Sequence, residues 1–225
     1  MPCVLIADDH GLYRRGLRAA LETAKPGVAV IEADGMDAVL TLLEEHTDID
    51  IALVDLNMHG VISFGVLKEI RESYPNTRFV IISASCNRLD ILETLRIGLH
   101  GFICKAQWET EIIAAVFDVL SGRIYVPPLL AKPPADADVE SAEKSLSEAK
   151  GSLDRSLDTR RLTPRQRDVL KLMAEGLSNK EIARKLSIAE ATTKIHAAAL
   201  MRALGVRNRT EAAVLVKTWL DKQQL

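Results

Sequence analysis

The sequence predicts an α/β protein: a doubly wound, five-stranded parallel sheet, followed by a second, smaller all-α domain of four helices. Three observations predict it. Over the first half, short apolar runs alternate with stretches of helical periodicity. From residue 161 onward no strand signal occurs. The charge also divides: residues 1–126 hold 11 Lys/Arg against 18 Asp/Glu, a net of −7, and residues 161–225 hold 13 against 6, a net of +7. The overall net charge of −2 hides this asymmetry. Two modules follow from it, the basic one suited to a polyanion.

The first module reads element by element. CVLIA (3–7), VAVIEA (28–33), IALVD (51–55), RFVIIS (78–83) and HGFIC (100–104) are β-type runs. Between them 12–24, 36–46, 64–73 and 88–97 repeat apolar residues at helical spacing, as does 108–121 after the last run. Near-continuous apolar strands alternating with helices indicate a parallel sheet covered on both faces. The module spans 1–126.

Residues 127–160 open with two Pro-Pro pairs, 127–128 and 133–134, and turn Ser/Ala/Asp/Glu-rich, the composition of a linker. Val139, Leu146 and Leu153 recur every seven residues with Ala142 and Ala149 between them. That spacing predicts a solvated helix over 139–157, with a helical dimer contact as its second use. In 161–225 two helix starts are explicit: Thr163-Pro-Arg-Gln166 and Ser178-Asn-Lys-Glu181 both fit a capping box. A third helix fits 190–204, ending at Gly205, and a fourth begins near Thr210.

Composition sets limits on function. With 48% hydrophobic and 27% charged residues, the chain is of ordinary globular type. No apolar stretch approaches the roughly 18 to 20 residues that a membrane span needs, and MPCVLIADDH lacks a signal peptide's layout, so a cytoplasmic protein with no membrane partner is expected. Cys3, Cys86 and Cys104 form no metal-binding pattern and are expected as buried reduced thiols, a redox switch being the lesser reading.

The chemistry gathers at strand ends. The first run delivers Asp8 and Asp9, the third Asp55, the fourth Ser83, and Lys105 follows the fifth. An Asp at a strand end most often only caps the next helix. In a parallel sheet, however, ligands bind beyond the carboxyl ends of the strands. If strands one, three, four and five are neighbours, all five residues share one edge. Three clustered carboxylates repel unless a cation neutralises them, and oxygen ligands suit Mg²⁺. A hydroxyl and an ammonium beside them supply what a phosphoryl group needs, with Asp55 as nucleophile.

These segments resemble the receiver domain of two-component response regulators, a flavodoxin-like fold, over residues 1–121. "IADDHGLYRRGLRAAL" is similar to that family's acidic pair and first helix, "LVDLNMHG" to its phosphoacceptor segment, and "VIISAS" and "GFICK" to its hydroxyl and lysine segments. The resemblance implies phosphorylation of Asp55 by a sensor histidine kinase. It implies Mg²⁺ on Asp9 and Asp55, on Asp8 through water and on the backbone carbonyl of Asn57. Ser83 and Lys105 would hold phosphoryl oxygens, and Phe102 stands where the family keeps a switch aromatic. His59, Ile62 and Ser63 depart from the family pattern, as does "KAQ" after the fifth strand, which bears on phosphorylation kinetics. A haloacid-dehalogenase-type phosphatase would need a second Asp where Asn57 stands, and an amide exchanges no proton near neutral pH. No enzyme is expected.

The run "LTPRQRDVLKLMAEGLSNKEIARKLSIAEATTKIHAAALMRALGVRNRTEA" closely resembles the LuxR-type helix-turn-helix of the NarL/FixJ regulators. In that arrangement helix 179–186 crosses the DNA backbone with Lys180 near phosphates, and helix 190–204 enters the major groove. Thr193, His196 or Ala197, Leu200 and Leu204 should face inward; Thr192, Lys194, Ile195, Ala198 and Arg202 are the candidate DNA contacts. Thr193 replaces the family's usual Val, and Ala198 lies where a polar reader is common, so readout can lean on DNA shape. His196 reads as a packed helix histidine. The expectation is a phospho-switched, dimeric transcription factor; the alternative is a phosphorylation-independent regulator that uses the receiver as a dimerisation module.

Overall fold

The computed structural model describes residues 1–58, 63–131, 162–206, 208–213 and 215–216. The heptad-like segment 139–157 and the residues His59 and Ile62 lie outside them.

Five parallel strands form the sheet: β1 (Cys3–Ala7), β2 (Ala29–Ala33), β3 (Ile51–Asp55), β4 (Arg78–Ser83) and β5 (Gly101–Cys104), in the order β2-β1-β3-β4-β5. β1, β3 and β5 are buried along their whole length, and β4 is buried from Phe79 onward. The near-continuous apolar runs follow from that, because each strand faces helices on both sides. On one face Val4, Ile6, Leu53 and Val80 pack with Leu17 and Leu21 of α1 (Gly11–Ala24) and with Val116 and Val119 of α5 (Glu109–Leu120). On the other, Leu5, Val54 and Ile81 meet α2 (Met36–Glu45), α3 (Phe64–Ser73) and α4 (Arg88–Arg96).

Local chemistry sets several boundaries. The Ser63 hydroxyl accepts from the Val66 N–H at the start of α3, and the Asn87 carbonyl oxygen accepts from the Asp90 N–H at the start of α4. The edge of β5 is covered by returning chain: Tyr125 bridges to Gly101 and accepts from the Phe102 N–H. A Cβ at position 101 would lie 2.8 Å from the Tyr125 carbonyl oxygen, so only glycine permits this approach.

The second domain packs α6 (Pro164–Ala174), α7 (Asn179–Leu186), α8 (Glu190–Ala203) and helical residues 209–213 and 215–216 around Val169, Leu170, Met173, Ile182, Leu200, Ala212 and Val216. Both capping boxes form as their sequences require, Thr163 with Gln166 and Ser178 with Glu181. Ser187 takes φ 54° at the turn between α7 and α8, a left-handed position that a small polar side chain tolerates.

Candidate phosphoacceptor site and its covered DNA-binding helix

The strand order satisfies the condition on which the strand-end reading depends. β1, β3, β4 and β5 are consecutive neighbours, so Asp8, Asp9, Asp55, Ser83 and Lys105 gather at one edge. Asp8 and Asp55 are almost fully buried, at 0% and 1% exposure. The Lys105 ammonium bridges them, 2.6 Å from Asp8 Oδ2 and 3.1 Å from Asp55 Oδ2. Neither of those oxygens accepts a well-aligned hydrogen bond among the described residues. Two buried carboxylates sharing one cation leave net negative charge, which favours a further cation.

Ligand atoms of Asp8, Asp9, His10 and Asp55 all lie within 4.8 Å of one another, and the three carboxylates among them are of the oxygen-donor type that suits a hard cation. His10 was not singled out by sequence reasoning. Its Nδ1 lies 3.1 Å from Asp8 Oδ1 and 2.8 Å from Asp9 Oδ1 on an exposed loop. Asn57 is exposed, and its backbone N–H donates to Asp55 Oδ1 at 3.3 Å. Ser83 is buried beside the site; it pairs in register with Cys104, and its carbonyl accepts from the Lys105 N–H at 2.8 Å. Phe102 is fully buried in the core on the α2–α4 side.

Tyr13 also escaped the sequence reading. Lys105 Nζ stands 4.8 Å from the centre of its ring, a cation–π contact that helps place the ammonium. Burial, then the charges of Asp8 and Asp55, push the Tyr13 hydroxyl well above its ordinary value, so it stays protonated. Helical spacing alone puts Tyr13 on α1; only the packing of α1 against the sheet shows that it faces the lysine.

The candidate DNA contacts divide. Lys180 and Lys194 are exposed, Lys194 pairing with Glu190 at 3.2 Å. Thr192 and Ile195 are buried, Ile195 to 1% exposure, and Ala198 is half-buried. The expectation of an open face on α8 is corrected here, because the receiver covers it. Ile195 and Ala199 join the core cluster that contains Val66, Leu67 and Ile70 of α3. Glu44 of α2 accepts from the Ala189 N–H at 3.1 Å and from the Thr192 hydroxyl, supplying the cap that Ala189 lacks. Tyr74 meets Thr192 at 3.3 Å, and Glu69 holds Arg202 at 2.9 Å. Asp37 accepts from the Thr163 hydroxyl at 3.1 Å and from the Arg165 N–H at 3.4 Å.

Ala197 and Leu200 fill the helical core, whereas His196 faces Asp37 at 3.9 Å across the domain boundary. Thr193 is buried, its hydroxyl returned to the Ala189 carbonyl. The cysteines differ from expectation too: Cys86 and Cys104 are bonded to each other, and Cys3 alone is free. Nothing in their spacing of 18 residues signals this; the adjacency of β4 and β5 produces it.

Residues 4–117 match the response regulator receiver domain family, and residues 160–216 match the luxR family of bacterial regulatory proteins. This chain is a two-component response regulator of the NarL/FixJ type. It is a DNA-binding transcriptional regulator, not an enzyme. The chain is similar to the glycerol metabolism activator of Pseudomonas putida, with 35% identity over 93% of this chain and 92% of that protein. It is also similar to the nitrate/nitrite response regulator NarL of Escherichia coli K12, with 32% identity over 99% and 96%. A LuxR family DNA-binding response regulator from Silicibacter pomeroyi matches 57% of this chain and 98% of its own, with 30% identity and a TM-score of 0.51. The RcsB response regulator of Salmonella typhimurium shares the fold, at 24% identity and a TM-score of 0.52, over 96% of this chain and 98% of its own. Among the described residues no helix is long and apolar enough to cross a membrane.

Proposed function

We propose that a sensor histidine kinase phosphorylates this regulator on Asp55 in the cytoplasm, and that the phosphorylated form releases α8 to bind promoter DNA as a homodimer. The observation that supports it is the buried Asp8–Lys105–Asp55 bridge at the carboxyl edge of the sheet. A carboxylate oxygen of Asp55 attacks phosphorus in the donor phosphohistidine; the P–O bond forms as the P–N bond breaks, and the imidazole recovers its proton. Lys105 then has a phosphoryl oxygen to neutralise instead of Asp8, and Ser83 supplies a hydroxyl donor beside it. Mg²⁺, held by Asp9 and Asp55, by Asp8 through water and by the Asn57 carbonyl, would screen the charge of the phosphoryl oxygens.

We assign 1–126 to the receiver, 127–160 to the linker and 161–225 to DNA binding. Lys180, Thr192, Lys194, Ile195, Ala198 and Arg202 are the proposed contacts. Three of these, Thr192, Ile195 and Arg202, hold receiver groups in the closed form. They cannot meet DNA until the domains part, so release of α8 is the step that phosphorylation must drive. Phe102 is proposed to take part by leaving its buried position. A receiver serving only as a fixed dimerisation module is not favoured, since it gives no role to the buried acidic edge.

The test is intact-mass measurement after incubation with Mg²⁺ and a small acyl phosphate. Wild type should gain one phosphoryl group and Asp55→Asn none. A label that survives in Asp55→Asn removes the assignment.

A further inference from the structure

We propose that Cys86 and Cys104 form an oxidation site whose disulfide clamps the segment between β4 and α4 to β5, restraining the phosphoryl-binding end of the receiver. The Cα atoms are 5.6 Å apart, within the usual reach of a disulfide. Both cysteines adjoin residues of the acidic site. Cys104 immediately precedes Lys105 and pairs in register with Ser83; Cys86 lies three residues after Ser83. The bond therefore ties the segment that follows Ser83 to the residue that precedes Lys105, and the loop it closes contains the whole of α4.

The two sulfurs are differently placed. Cys104 is buried, while Cys86 is half-buried and thus the sulfur that an external reagent reaches. A low-molecular-weight disulfide such as oxidised glutathione is a sufficient oxidant. The Cys86 thiolate attacks one of its sulfurs, releasing one glutathione thiolate and forming a mixed disulfide. The Cys104 thiolate then attacks the Cys86 sulfur and releases the second. Two protein thiols are oxidised, one glutathione disulfide is reduced to two thiols, and the protons pass to the departing thiolates. Excess thiol reverses both steps.

The restraint follows from geometry. Any approach of Ser83 and the following loop toward a phosphoryl group on Asp55 requires movement relative to β5, which the covalent link opposes. This part rests on the phosphoacceptor reading of Asp55; the existence of the dithiol does not.

The full-length protein is equilibrated with reduced or oxidised glutathione, denatured and alkylated, and its intact mass measured. Reduced protein should take three labels and oxidised protein one, on Cys3, which is buried in β1. Three labels after oxidation overturn the site. Hydrogen exchange over residues 84–96 should slow several-fold on oxidation in wild type, and not in Cys86→Ser or Cys104→Ala. Unchanged exchange overturns the clamp, whatever happens at Asp55. Phosphorylation by the acyl phosphate should slow several-fold in the oxidised form and recover with thiol. Equal rates in the two forms overturn the regulatory part. Failure of the reduced form to accept phosphate at all counts against Asp55, and leaves the exchange measurement to decide the clamp.

Discussion

Glu44→Ala should turn the resting protein into a DNA binder. Glu44 sits on α2, on the receiver, yet its carboxylate caps the start of α8 by accepting from the Ala189 N–H and the Thr192 hydroxyl. A hydrogen bond to a charged group contributes about 1.5–3 kcal/mol, and a carboxylate at a helix N-terminus adds about 0.3–1 kcal/mol. Glu44 is only partly buried, and solvent screening discounts both figures, so a total near 2 kcal/mol is the sound estimate. That shifts the closed-to-open ratio roughly 30-fold. Where the closed form dominates, apparent affinity scales with the open fraction, so unphosphorylated Glu44→Ala should bind duplex DNA roughly 30-fold more tightly than wild type. Glu44→Gln keeps an acceptor without the charge and should fall between them. Fluorescence anisotropy at fixed salt measures the affinity, and hydrogen exchange over 190–203 measures opening directly. Unchanged affinity with unchanged exchange would refute the argument that receiver contacts hold α8 shut.

Three further outcomes follow from the same geometry. Lys105→Ala leaves Asp8 and Asp55 buried without their shared cation, so in chelator the urea midpoint should fall by the equivalent of about 3 kcal/mol, and Mg²⁺ should recover much of it; no loss in chelator contradicts the bridge. The proton affinity of His196 is lowered chiefly by burial and by Arg165, against the opposing pull of Asp37 and Glu44. The closed form thus binds fewer protons than a form with solvated imidazole, so closure is complete above the ordinary histidine range and weakens as pH falls through it. Protection factors over 190–203, taken against the intrinsic exchange rate at each pH, should fall as pH drops from about 7.5 to about 5.5, and His196→Gln should flatten the change. Lys194→Ala should cost roughly 1–3 kcal/mol on the preferred DNA sequence and less on random DNA if it reads a base. Equal losses on both duplexes would make it a phosphate contact.

What could be read from the sequence was local. Strands β1, β3 and β4 fall on the residues that apolar runs and turn chemistry indicate, because those signals act within a few residues of each other. Both capping boxes form from their own four residues. The types at the strand ends, carboxylate, hydroxyl and ammonium, named the chemistry before any strand was placed. Their convergence, however, depended on β1, β3, β4 and β5 being neighbours, which no single segment encodes. The same limit hid Tyr13 over Lys105, the bond between Cys86 and Cys104, and Glu44 at the start of α8. Ile195 shows the reason most clearly. Helical periodicity placed it on the side away from the helical core, and the structure buries it nonetheless, against α3 of the other domain. Periodicity reports which way a side chain points from its own helix; whether water or another domain waits there is decided by surfaces more than 100 residues apart in the chain, as Glu44 and Thr192 are.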